Sequence, residues 1–330
     1  MPSPLLNPIT RGQLADVARN ALISWHKGAE MAQDKIMGVR NLFWEKAADG
    51  YTEEHSSFVE SGFSKKTGEG EDYALVTDTQ GDTMTLTQIK RSVRRVITED
   101  LIKFNKYPEI DRKLRNVGGK LWRGYALDLT HRFTFAFDTS YTDRDGESVT
   151  TTGGDTAAMC ANTHTMNDGS TFDNLLSGRL SESTLEDAED LGVAVVDHNG
   201  ELVTPDYNLL ITGPQGATKH VAQRLIGQPM QLDTDQHNMS VYQGKYQHVI
   251  LPYLDTTAVG AKNTAKSRFW FIVDSNLMKN DGNLAVAVAE YPDPEAPTKD
   301  PDNNNLTFKA KMWYDIALLD SSCIVGSNAV

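Results

Sequence analysis

Cysteine, net positive charge and long apolar runs are all scarce in this chain of 330 residues. Its two cysteines, Cys160 and Cys323, stand far apart without metal-ligand spacing. That excludes a disulfide framework or a zinc site and reads as two reduced thiols of an intracellular protein. No run approaches the roughly 18 apolar residues of a membrane span. Residues 1–11 lack the apolar core of a signal peptide, so export is not expected. With 32 Lys and Arg against 45 Asp and Glu, the formal net charge of −13 argues against a protein whose main work is gripping nucleic acid.

Catalytic signatures are missing too. The Gly-rich turn Gly213–His220 lacks the spacing of a phosphate-binding loop, and no G-x-G-x-x-G follows a strand. The eight histidines form no H-E-x-x-H or H-x-H pair, and His164 beside Cys160 is too little for a metal site. There is no G-x-S-x-G elbow. The carboxylates Glu186, Asp187, Glu189 and Asp190 read as a solvated helix face. The expectation is a protein that is not an enzyme and takes no cofactor or metal.

What is present is organised around Tyr107–Phe137. Pro108 suits a first helical turn, and Ile110, Leu114, Val117, Leu121, Tyr125, Leu129 and Phe133 recur at steps of three and four, one face of a long helix. Gly118, Gly119 and Gly124 predict a break or bend. Near the chain's other end, Leu306, Phe308, Ala310, Met312, Tyr314, Ile316 and Leu318 alternate with more polar residues, the pattern of a half-buried strand. Helix and strand together predict an elongated two-layer slab built from residues distant in sequence, with a further strand at Leu284–Ala289.

Residues 1–50 read as a helical arm with one apolar face at Leu14, Val17, Ala18, Ala21 and Leu22. A second, at Ile36, Val39, Leu42 and Phe43, follows Gly28; both are too narrow to stand alone. Residues 51–97 read as a ribbon with strands at Ser57–Phe63 and Tyr73–Thr77, a turn at Gln80-Gly81-Asp82 and a charged tip carrying Lys65 and Lys66. The polar stretch Asp138–Asp173 is long for a connection and reads as functional, or else as disordered until something binds it. A lobe then begins, with a capping box at Ser183–Glu186 opening a helix to Leu191 and a hairpin at His198-Asn199-Gly200. It continues with a strand at Asn208–Thr212, a helix at Ala217–Ile226, and strands at Val241–Leu251 and Arg268–Val273.

Lys90, Arg91, Arg94, Arg95, Lys103, Lys106, Arg112, Lys113, Arg115, Lys120 and Arg123 crowd the start of the long helix against few acids. They read as a solvated face, as a surface for acidic neighbours that other copies of this chain would supply, or as weak phosphate contacts. An arm and a ribbon that cannot bury themselves point to burial by neighbouring copies in rings or shells.

This order of parts resembles the major capsid protein of tailed bacteriophages, the Hong Kong 97-type fold, and within it the Mu-like major head subunits. The stretches that carry the resemblance are RRVITEDLIKF (Arg94–Phe104), NTHTMNDGSTFDN (Asn162–Asn174), LLITGP (Leu209–Pro214), GKYQHVILP (Gly244–Pro252), Asp274 and Lys311–Asp320. The resemblance implies an α+β fold: an N-terminal arm (1–50), an extended β-hairpin loop (51–97), a peripheral domain with the spine helix (98–165), an axial α/β domain (166–265) and the peripheral return strands (266–330). It implies hexamers and pentamers of an icosahedral head around double-stranded DNA, bound without sequence specificity and assembled in the host cytoplasm. It also implies partners: a separate scaffolding protein, a portal and possible decoration proteins. On this map Lys65, Lys66, Arg91, Arg94, Arg95, Arg112 and Arg115 are the candidates for contact between subunits. The alternative is an encapsulin-like nanocompartment shell around protein cargo.

Overall fold

The structure, a computed structural model, describes residues 11–60, 64–73, 75, 78–104, 106–227, 241–279 and 282–329. In chain order the first elements are α1 (Arg11–Arg40), β1 (Trp44–Ala47), β2 (Thr52–Glu60), β3 (Asp78–Thr87), β4 (Ile89–Ile97), α2 (Glu99–Lys103) and α3 (Tyr107–Thr134). Short pieces follow: β5 (Ser140–Thr142), β6 (Ser148–Thr150), β7 (His164–Thr165), β8 (Thr171–Phe172) and β9 (Leu175–Leu176). Then come α4 (Glu182–Val193), β10 (Leu209–Thr212), α5 (Gly216–Gly227), β11 (Gln247–Ile250), β12 (Trp270–Val273) and α6 (Ser275–Lys279). The chain closes with β13 (Leu284–Pro294), β14 (Thr298–Lys299), β15 (Leu306–Leu318) and β16 (Ile324–Ser327). The fold is thus mixed α+β. The chain divides into two compact units, one of Met1–Met37, Gln88–Ala126 and Val288–Tyr314, the other of Gly38–Thr87, Leu127–Ala287 and Asp315–Val330.

In the first unit the apolar stripe of α3 meets β15 as its spacing predicts. Ile110 and Leu114 pack with Leu306, Phe308 and Ile97; Val117 and Leu121 pack with Ala310 and Trp25. A Leu or Phe so enclosed stabilises the fold by about 1.5–3 kcal/mol relative to exposure. α3 runs unbroken through its glycines, and two of the close approaches it makes depend on them. A Cβ on Gly118 would lie 2.2 Å from the Trp25 carbonyl oxygen of α1, and one on Gly28 would lie 1.9 Å from the Arg115 carbonyl oxygen. Bare backbone is what lets α1 and α3 come this close, and the expected break is replaced by a helix–helix crossing. The Ser24 hydroxyl of α1 adds a hydrogen bond to the Asp111 carboxylate of α3. α1 also runs unbroken through Gly28, so Ala21 of the first predicted arm face and Ile36 and Val39 of the second lie on one helix, with Trp25 buried on it, while Leu42 and Phe43 follow its end. Among its described side chains Ala21, Trp25, Ile36 and Val39 are buried within the chain, and Ile23, Met31 and Met37 stay exposed. The side chains of Leu14, Val17 and Ala18 lie outside the described residues.

In the second unit β11, β10, β12, β16 and β9 make a five-stranded sheet in that order. β10 and β12 are buried at every position, and Leu209 faces Val273 in antiparallel register. Leu185 and Ala188 of α4 and Ala222 and Leu225 of α5 close over Leu210 and Trp270. The cap of α4 stands two residues earlier than its sequence pattern suggests. Ser181 accepts from the Thr184 N–H, and the Thr184 hydroxyl accepts from the Ser181 N–H. Thr does here the work usually given to Glu or Gln. Around Asn199-Gly200 a turn and a single bridge, Val196 to Leu202, replace the predicted hairpin strands.

β2 and β3 form the ribbon, each placed about five residues from the strand predicted for it. Gln80-Gly81-Asp82 lies within β3, where Gly81 and Asp82 together face Ser57. That is a bulge, which re-aims the side chain of the extra residue. Ser61, Gly62 and Phe63 of the predicted first strand, and Ala74, Val76 and Thr77 of the second, lie outside the described residues. Met84 and Leu86 anchor the ribbon's root against Ala285, Ala287 and Leu319.

Candidate functional site: a basic sheet face and a buried polar knot

β4 pairs with β15 in antiparallel register from Ile97↔Leu306 to Ile89↔Tyr314. Directly paired residues share a face. One face carries the buried Leu306, Phe308, Ala310, Met312 and Tyr314. The opposite face therefore carries Val96 with Thr307, Arg94 with Lys309, Ser92 with Lys311 and Lys90 with Trp313. Lys90, Arg94 and Lys309 are exposed, and the Lys90 ammonium sits 5.7 Å from the Trp313 ring centroid. Lys311 pairs with Glu290 at 3.3 Å. Four bases thus share a surface with one acid, and Arg94 stands directly across from Lys309.

The basic residues singled out in sequence do not all meet here. Arg94 belongs to this face. Arg91 and Arg95 lie on the other face of β4, in register with Met312 and Phe308. Arg112 and Arg115 are exposed on α3, and Arg115 is engaged by Asp111 at 2.6 Å. Lys65 and Lys66 are exposed in the segment between β2 and β3. Sequence reading missed Lys309 and Lys311 as partners of Arg94; the signal was available at the polar positions of the closing strand's alternation.

The polar stretch 138–173 proves to be tied down in the second unit. His164 is fully buried; its Nδ1 lies 2.6 Å from Asp155 Oδ2 and its Nε2 3.0 Å from Asn174 Oδ1. Asn174 in turn donates through Nδ2 to the carbonyls of Met159, Ser321 and Ile324 at 3.0–3.2 Å. Both ring nitrogens are occupied, and the buried thiols of Cys160 and Cys323 are pushed to higher pKa by desolvation. With no ring nitrogen left over and no thiolate beside it, the knot's geometry serves to cross-tie the loop. Next to it Asp82, aimed by its bulge, lies 3.6 Å from His198 Nε2, and a Cβ on Gly154 would come within 2.3 Å of the Asp82 Cβ. Among the described residues no group of three or more His, Cys, Asp and Glu side chains is placed to hold a metal ion, and no helix is long and apolar enough to cross a membrane.

No protein-family model and no curated protein sequence matches the chain. Solved structures do. The capsid protein of Ralstonia phage GP4 aligns at a TM-score of 0.51 and 9% identity, over 88% of this chain and 87% of that one. The capsid protein of Myoviridae phage XM1 aligns at 0.50 and 10% identity, over 88% and 90%. At such identity the likeness is one of fold, and neither structure bears on the narrower resemblance to Mu-like head subunits.

Proposed function

We propose, from the Hong Kong 97-type capsid fold that this chain has, that it is the major capsid protein of a tailed phage. Copies assemble as hexamers and pentamers into an icosahedral shell that encloses double-stranded DNA, with scaffolding and portal proteins as partners. The observation that carries this reading is the match to two phage capsid proteins over 88% of the chain. It agrees with the ribbon, whose root is buried on its own unit while Phe58, Tyr73 and Leu75 are 74%, 93% and 88% exposed. Apolar side chains so displayed fit a segment that is covered by another copy.

On this reading 51–97 is the extended loop, 98–165 with 266–330 the peripheral domain, and 166–265 the axial domain. Lys65, Lys66, Arg91, Arg94, Arg95, Arg112 and Arg115 belong to surfaces between subunits. Expressed with its scaffold, the protein should give uniform closed shells in electron micrographs. A chain that stays monomeric at high concentration under those conditions overturns the proposal. Shells that copurify with protein cargo and never with DNA would favour the nanocompartment reading instead.

A further inference from the structure

We infer that the basic face of β4 and β15 is a docking surface for the acidic helix α4 of a second copy; the inference rests on the shell reading and names the contact within it. A chain with a net charge of −13 repels its own copies at a distance. Self-association therefore needs a local patch of the opposite sign, and this face supplies one. Lys90, Arg94 and Lys309 are exposed and have no ion-pair partner among the described residues, and Arg94 and Lys309 oppose each other as like charges. Directly opposed like charges destabilise a strand pair, so the face is relieved by an anionic partner.

α4 has the complementary defect. Within Glu182–Val193 it carries five acids and no base. Glu186, Asp187 and Asp190 are exposed; Glu186 and Asp190 repel at i, i+4, and Asp190 sits in the last turn, where the helix dipole disfavours negative charge. Glu189 already has a base, Lys245 at 2.7 Å, and Glu186, Asp187 and Asp190 have none among the described residues. The spacings match as well. Glu186 and Asp190 are about 6 Å apart along the helix at 1.5 Å per residue, and Arg94 and Lys309, directly paired across the two strands, are about 5 Å apart. Each patch carries an apolar neighbour, Val193 at 64% exposure and Val96 at 40%. Because the two patches differ, the contact is head-to-tail, the kind that closes rings.

The test is a charge swap in the full-length chain, with shell yield read by electron microscopy and subunit association by sedimentation. Arg94→Glu with Lys309→Glu, and separately Glu186→Lys with Asp190→Lys, should each lower shell yield at least tenfold while circular dichroism stays that of the wild type. Combining all four substitutions should restore assembly, and mixing the two double variants should restore association between them. Folded double variants that assemble normally, or a fourfold variant that stays as impaired as its parents, overturn the inference. If the basic-face variant forms shells at normal yield but loses DNA, the face meets nucleic acid instead, and the inference is again overturned. A wild-type chain that forms no shells under any condition removes the shell reading itself, and this contact with it. Should either double variant fail to fold, the neutral pairs Arg94→Gln with Lys309→Gln and Glu186→Gln with Asp190→Gln take their place, each expected to weaken association.

Discussion

Gly118 and Gly38 are both helical glycines, and the structure assigns them opposite fates. In an isolated helix Gly→Ala gains about 1 kcal/mol. A Cβ on Gly38 meets nothing within 4 Å, so Gly38→Ala should stabilise the fold by about that amount and raise its unfolding midpoint. At Gly118 the new methyl would drive into the backbone of α1, and overpacking of this kind costs about 1–3 kcal/mol. Thermal unfolding of the two variants should move in opposite directions; a stabilised Gly118→Ala would mean the helices do not cross there. Asp82 gives a prediction in pH. Burial lifts its carboxyl from the ordinary 3.8 to about 6; His198 opposes the lift, and Asp320 and Asp155 add to it. A group that holds its proton more tightly when folded adds stability below about pH 4 and loses it as pH rises through about 6. Asp82→Asn should therefore stabilise the protein at pH 7.5, by on the order of 1 kcal/mol because solvent reaches part of the site and screens the charge. The advantage should vanish near pH 4 in denaturant titrations. A gain that does not change with pH would mean the carboxylate's charge is not what costs stability. The buried His131, held down to about 4 chiefly by desolvation, works the other way over pH 4–6.5 in both proteins and drops out of the comparison.

At the scale of elements, β15 offers the sharpest contrast between its faces. Ala310 is enclosed by Trp25, Val117 and Leu121, and Lys309, one residue away, faces water. Ala310→Asp should abolish soluble expression, since an unpaired charge there costs several kcal/mol; Lys309→Asp should leave a folded subunit. Equal solubility of the two would sink the assigned register. Removing residues 64–73 from the ribbon should likewise leave the subunit folded, because its root is held by Met84 and Leu86, while shell yield falls. Normal yield would count against the ribbon as a contact between copies. β15 and the stripe of α3 were legible in the sequence because a single solvent boundary imposes a single period on each. The same logic fails where two neighbours share an element. Gly118, Gly119 and Trp122 form a second buried side of α3, and glycine carries no hydrophobic signal to announce it. Gln80-Gly81-Asp82 has the composition of a turn, and only the strand across from it makes it a bulge. Ser181 was hidden by Ser183, which fits the capping pattern equally well.

For the whole molecule, electrostatics sets an expectation about solution conditions. If copies meet through Arg94 and Lys309 on one side and Glu186 and Asp190 on the other, raising ionic strength from about 0.1 M to about 1 M shortens the screening length from about 10 to about 3 Å. Partly assembled intermediates should then dissociate, as sedimentation would register; assembly that strengthens steadily with salt would assign it to apolar contacts instead. This face was the least legible feature in the sequence. Its two strands, Ile89–Ile97 and Leu306–Leu318, are far apart in sequence, and a polar residue in an alternating strand does not announce which neighbour shares its side.

The two units also alternate along the chain, with Val288–Tyr314 the last piece of the first and Asp315–Val330 the last piece of the second. During synthesis, then, neither unit can close until β15 and the residues after it have left the ribosome. A prematurely terminated chain would lack the strand that aligns Lys309 with Arg94, and so would present no finished basic face. On the proposed shell reading, order of synthesis would then act as proofreading, because a chain cut short before β15 offers its neighbours no such face.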